Sequence, residues 1–222
     1  DGEPRGILIY GPMGSGKTTL TAALLNTYPP WVRVAAVQDV DEFRVLPGRT
    51  YLLLHTRQAT GLGALAIGKG DLIGDAMRSG AQYVFVNEIL EPEDAVAWVR
   101  AVTSGHGGAT NMHAGSREEL IDRLERLGVA NAVRLIDEFI VTVKMSNKRV
   151  VKVEWPRRAG PAGDEAMGPV IDWLVRASRQ PDNYELISTM WGELACVLWE
   201  GLECLINRAP SQGLGPAGGP DQ

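Results

Sequence analysis

Near the start of the chain, "YGPMGSGKTTL" gathers glycines, a lysine and hydroxyls into the spacing that phosphate chemistry requires. Gly11, Gly16, Lys17 and Thr18 satisfy G-x-x-x-x-G-K-[ST], in which glycines let main-chain N–H groups close around a β-phosphate and the lysine reaches the β/γ oxygens. Thr18 is the hydroxyl placed to ligate Mg²⁺. Gly11, Gly14, Ser15, Gly16, Lys17, Thr18 and Thr19 are therefore the candidate nucleotide-binding residues, and a nucleoside triphosphate, with ATP the first candidate, is the expected ligand.

Three further groups carry chemistry. Glu88 follows the apolar run Tyr83-Val84-Phe85-Val86, the usual place for an acid that holds a Mg²⁺ shell. Asp39, Asp41 and Glu42 follow another apolar run, and a carboxylate there can take the proton of an attacking water. In "TSGHGGATNMHAGS", residues 103–116, His106 and His113 stand among glycines; two of the chain's 3 histidines fall there. Zinc would need more ligands than these, and Cys196 and Cys204 lie far along the chain. A histidine donating to a terminal phosphate oxygen fits better, because that contact lasts only while the γ-phosphate does.

The elements that must position these groups follow from periodicity. Gly6 to Tyr10 suits a buried strand and Thr18 to Leu25 a helix whose N-terminus faces the anion. Strands are expected over Trp31–Val37, Tyr51–Leu54, Tyr83–Val86 and Ala109–His113, and a loop over Thr60–Gly70. Helices are expected over Asp71–Ser79, from Pro92 to about Ser104, over Arg117–Leu127 behind a Ser116-x-x-Glu119 cap, and over Ala130–Glu138. A hairpin turning at Ser146-Asn147 closes the series. Strands alternating with helices predict an α/β domain over residues 1–155 with a mostly parallel, doubly wound sheet.

Beyond it, residues 156–170 shift to Pro, Gly and charge and are expected to be a linker. Residues 171–206 are expected to be a helical extension, with Ile187, Met190, Trp191, Leu194, Val197, Leu198, Leu202 and Leu205 on one apolar face, and residues 207–222 a disordered tail. That face has two possible partners: its own core, or a neighbouring subunit or membrane partner. A chain of 222 residues with 45% hydrophobic content supports a substantial core. The net charge of −5 gives no basic excess for nucleic acid or anionic lipid, and no apolar run of about 20 residues is present to span a membrane.

Four segments in order, "GPMGSGKTT", "QDVDEF", "VFVNE" and "SGHGGATNMHAGS", resemble the Walker A, Asp box, Walker B and His box of the type II and type IV secretion and pilus-assembly ATPases, archaeal relatives included. The resemblance covers about residues 6–153 and implies a RecA-like ATPase core that works in a ring, a hexamer, and drives a membrane-embedded platform from the cytoplasm, at the inner face of the cell membrane. It implies that Lys17 and Thr18 hold phosphate and Mg²⁺, that Glu42 is the catalytic glutamate, that Glu88 serves the metal and that His113 senses γ-phosphate. Arg57 in "HTRQ" and Arg78 in the helix before Walker B would stabilise charge across a subunit boundary. Gln38, Asn87, Gly80 and Leu90 depart from the residues common in that family, and the matching segments are expected to represent its catalytic domain without the N-terminal domain that such proteins carry. Two other readings share the phosphate loop: a nucleic-acid-translocating motor of the conjugation type, and an interaction module ordered by nucleotide with little turnover.

Replacing Lys17 by Ala removes the point charge that faces the β/γ oxygens. Equilibrium titration with a fluorescent ATP analogue should show affinity falling at least about a hundredfold, on the scale of a lost charged contact.

Overall fold

The computed structural model describes residues 6–28, 30–59 and 65–157. The expected linker beyond residue 157, the helical extension and the tail lie outside the described residues. Among the described residues seven strands and five helices follow in order: β1 (Gly6–Gly11), α1 (Lys17–Leu25), β2 (Val34–Gln38), β3 (Tyr51–His55), α2 (Lys69–Arg78), β4 (Tyr83–Val86), α3 (Pro92–Thr103), β5 (Gly108–His113), α4 (Arg117–Arg126), α5 (Ala132–Phe139), β6 (Ile140–Ser146) and β7 (Arg149–Glu154).

Strands pair in the order β5-β1-β6-β7 and, in a second ladder, β3-β2-β4; all pairs are parallel except β6 with β7. The two ladders meet where β4 runs beside β5. There Val84 N donates to Gly107 O at 2.9 Å, Gly107 N to Gln82 O at 3.0 Å and Ile89 N to Asn111 O at 3.0 Å. Parallel strands covered on both faces should be apolar on both sides, and β2 is buried at every position. On one face Leu8, Tyr10, Val84 and Met112 pack with Trp98 of α3, Ile73 of α2, Leu120 of α4 and Ile136 of α5. On the other, Ile9, Ala36, Phe85 and Ala109 pack with Leu20, Leu24 and Leu25 of α1 and with Phe43.

Several expected boundaries move by one to three residues, some for a visible local reason. The strand expected from Trp31 begins at Val34 and runs to Gln38. The helix expected from Asp71 begins at Lys69, because extended Gly68 stands before it and donates its N–H to the Asp71 carboxylate at 3.3 Å. The hairpin turns one residue later than expected, on Asn147 and Lys148, both with positive φ (48° and 59°), the pattern of a two-residue type I′ turn. The cap at Ser116 forms as expected, its hydroxyl accepting from Glu119 N at 3.2 Å, while the Glu119 carboxylate accepts from Gly115 N at 2.6 Å.

Gly108 decides how close the two ladders come. Its φ is +138°, and a Cβ built there would lie 2.0 Å from Val84 O, a main-chain atom that cannot swing aside. Gly108→Ala should therefore cost about 3 kcal/mol or more, the range of a substitution that meets both a strained φ and an immovable neighbour. Urea denaturation would register it as a lower midpoint at unchanged slope.

Candidate functional site

Parallel strands present their C-terminal ends on one edge, where open α/β sheets bind ligands. At that edge β1 ends on Gly11, in register with His113 at the end of β5, and β4 runs on into Asn87 and Glu88. Phosphate loop, histidine and acid, spread over a hundred residues of sequence, thus become neighbours.

The loop after β1 is shaped by its own main chain. Ser15 N donates to Pro12 O at 3.3 Å, and Gly16 takes φ +92°, a conformation costly for any side chain, immediately before α1. The first turn of α1 has no side-chain cap and no acidic residue, so its N–H groups and the positive end of the helix dipole are available to an anion. Lys17 is only 5% exposed. Its ammonium donates to Pro12 O at 3.1 Å and lies 3.1 Å from His113 Nδ1. Burial pushes the lysine below its ordinary pKa, Glu88 works against that shift, and Arg123 adds to it.

An ammonium has donors only, so Nδ1 of His113 is the acceptor and the ring hydrogen sits on Nε2. Nε2 in turn lies 3.3 Å from Glu88 Oε1. The imidazole thereby bridges the lysine of the phosphate loop and the acid after β4. The histidine's own carbonyl is fixed by Arg123 of α4, which donates to it at 3.0 Å. His106, the other histidine of the glycine-rich stretch, is elsewhere: its Nδ1 is 2.8 Å from Ala81 O, at the start of β4 and β5 rather than at their ends.

Glu42 reaches the site through two tethers. Gln38, fully buried at the end of β2, accepts from Glu42 N at 3.1 Å and Phe43 N at 2.9 Å with its one amide oxygen, and so shapes the turn. Its Nε2 donates to Asp41 at 3.2 Å. Asn87 Nδ2 then donates to the Glu42 carboxylate at 3.1 Å. Both residues depart from the family pattern in the sequence, and both turn out to hold the acidic turn in place. Asn111, 1% exposed on β5, donates to Asn87 O and, at 3.3 Å, to Thr21 Oγ1 of α1, locking the β4 loop to the helix of the phosphate loop.

Around this centre Asn87 Oδ1 and Ser15 Oγ are buried without a hydrogen-bond partner, and buried Glu88 Oε1 has only the 3.3 Å ion-pair contact with His113, which is not a formed hydrogen bond. Buried polar atoms left in that state mark where a ligand, its metal ion or water completes the set. Oxygen donors, carboxylate and hydroxyl, are what Mg²⁺ takes, so Glu88 with the half-buried Thr18 fits that ion.

The two arginines are not drawn in. Arg57 is exposed just past β3, its guanidinium donating to Leu65 O at 3.2 Å. Four strand spacings separate β3 from β1, about 19 Å at 4.8 Å each. Arg78 sits at the C-terminal end of α2, paired with Asp75 at 2.6 Å, on the side of the sheet where β4 begins. Lys69, Asn111 and Arg123 were not singled out in the sequence. Asn111 sits in the mixed strand sequence GATNMH, where nothing sets it apart from Thr110, and nothing in spacing marks Lys69 or Arg123.

Residues 3–154 match the family model described as "Type II/IV secretion system protein". The type IV secretion system protein PtlH of Bordetella pertussis is 33% identical over 121 residues, 54% of this chain and 35% of its own. An uncharacterized protein of Methanocaldococcus jannaschii is 29% identical over 152 residues, 68% of this chain and 55% of its own. Among solved structures, the VirB11 ATPase from the Brucella suis type IV secretion system, crystallised with sulphate, superposes with a TM-score of 0.56 at 23% identity, covering 76% of this chain and 51% of that one. The chain thus spans about a third to a half of the length of the relatives it matches, and shares their RecA-like α/β fold. With the family model covering well over half of its length, this chain belongs to the type II/IV secretion system protein family.

Proposed function

We propose that this chain is the ATP-hydrolysing core of a motor subunit in a secretion, pilus or archaellum-type assembly machine. The observation that carries the reading is the chain of contacts from Lys17 through His113 to Glu88, 3.1 Å and 3.3 Å, beside a Glu42 carboxylate held by Asn87. It supplies a charge for the β/γ oxygens, an acid for the metal, a carboxylate for the water and a ring between them.

ATP enters with its phosphates against Gly11, Gly14, Ser15 and Gly16 and the uncapped start of α1, with Thr18 and Thr19 in its first turn. Lys17 leaves His113 to meet the β/γ oxygens, which frees Nδ1 of the ring. Thr18 and Glu88 would hold Mg²⁺, which when bound would neutralise charge building on the phosphoryl oxygens. Glu42 accepts the proton of the attacking water. His113, relieved of Lys17, turns a ring nitrogen to the γ-phosphate and loses that contact on hydrolysis, so occupancy of the site is converted into loop position. Arg57 and Arg78, both away from the loop of their own chain, are assigned in this reading to a neighbour's nucleotide, which requires a ring; we take it to be a hexamer.

Among the described residues no helix is long and apolar enough to cross a membrane. Attachment to the inner face of the cell membrane would run through a membrane-embedded platform protein, with the motor itself in the cytoplasm. The acidic balance of the chain, −5, argues against a nucleic-acid track.

Glu42→Gln should leave ATP affinity within about threefold of wild type and lower single-turnover hydrolysis by about 10²-fold or more, the usual yield of a general base. Wild-type hydrolysis by that variant would remove Glu42 from its role. His113→Ala should slow turnover while leaving ADP affinity unchanged; equal weakening of ADP and of a non-hydrolysable ATP analogue would show that the ring only supports the loop.

A further inference from the structure

We propose that Lys69 is a positioning residue for the nucleotide site, holding the turn that carries Glu42 and the loop that carries Glu88 in fixed relation to each other. The proposal rests on reading that site as hydrolytic, and deepens it. Lys69 is the first residue of α2, where a cation opposes the helix dipole, and its side chain is 5% exposed. A charge kept out of water at the unfavourable end of a helix persists only where its partners are complete.

Its ammonium has three hydrogens and three acceptors within reach, each from a different segment. It donates to Glu88 O at 2.8 Å and to Asp39 Oδ2 at 3.0 Å, and lies 3.5 Å from Asp94 Oδ2 at the start of α3. The distances rank these roles. Asp94 is the farthest, and its Oδ2 already receives Leu90 N at 3.4 Å and Glu91 N at 3.3 Å. Neutralising Asp94 is therefore the lesser part of what Lys69 does. The close contacts are to the two loops. Asp39 follows directly on Gln38, the residue that shapes the turn presenting Glu42, and the carbonyl of Glu88 belongs to the acid itself. One buried cation thus fixes the main chain of the acid and the entrance to the base's turn, while Asn87 ties the base's carboxylate to the same loop.

Hydrogen exchange and single-turnover kinetics on the full chain test this together. In Lys69→Met, which keeps the buried stem, amides of residues 39–43 and 88–91 should exchange at least about tenfold faster while those of 15–20 stay unchanged. The hydrolysis rate should fall at least about tenfold with ATP affinity within about threefold of wild type, and Lys69→Arg should recover part of the rate. Because Lys69→Met leaves Asp94 buried beside a lost cation, Lys69→Met with Asp94→Asn is measured alongside. If the double variant regains wild-type stability and also wild-type rate and exchange, Lys69 only balances charge and the proposal is overturned. If it regains stability while the two loops stay fast-exchanging, the proposal stands. Faster exchange confined to the first turn of α2 would also overturn it. The exchange readout is independent of catalysis: a wild-type chain that hydrolyses nothing would contradict the hydrolytic reading of the site, whereas unchanged exchange in the two loops would contradict the role given to Lys69.

Discussion

The approach of β5 to β4 is the constraint on which the rest of this structure depends. Glu88 rides on one hydrogen-bonded ladder, and Gly11, Lys17 and His113 on the other. They become a single site only because the main chain at Gly108 can come within a distance of Val84 that leaves no room for a methyl group. Few main-chain bonds cross that junction, and side chains complete it: Asn111 reaches from β5 to the carbonyl of Asn87 and to α1. The packing of Val84 and Met112 with Trp98 on one face, and of Phe85 and Ala109 with α1 on the other, closes the seam from both sides. Hydrophobic burial thus sets the spacing, and a few polar contacts set the register at the edge where it matters.

A second theme is the handling of charge. Two lysines, Lys17 and Lys69, are buried at this edge, and each is met by acceptors drawn from separate loops. A buried cation is a poor source of stability, since desolvation takes back much of what pairing gives. It is a good source of geometry, because removing any one acceptor leaves an unsatisfied charge. The site therefore gains orientation at the expense of stability.

Much of this was legible in the sequence. The glycine-lysine-threonine spacing, the apolar runs ending in Glu42's turn and at Glu88, and the glycines around His113 specified a phosphate site on an α/β sheet, and the alternation of elements specified the sheet. What escaped was of a particular kind. Helix starts moved where a glycine, Gly68, served as the cap, since a cap without a side chain leaves no polar signature. The contacts of Lys69 and Arg123 lie between residues tens of positions apart or across a helix and a strand, where spacing carries no information. Gln38 and Asn87 were visible as departures from a family pattern, yet only the folded chain shows that an amide at each place supplies donors a carboxylate or a glycine would lack.

The contact between Lys17 and His113 has a further consequence. Lys17 Nζ lies 3.1 Å from His113 Nδ1, so on the proposed reading an imidazole and a phosphate oxygen would compete for one ammonium. Affinity for the nucleotide is then the difference between two bonds of the same ammonium, and thermodynamic reciprocity applies to that difference. On that reading, whatever draws His113 aside, a shift of Arg123 or of the helix that bears it, would raise affinity for the triphosphate by some factor. Bound triphosphate must then favour that same shift by an equal factor, so a partner that grips α4 and a nucleotide that grips Lys17 would each report the presence of the other.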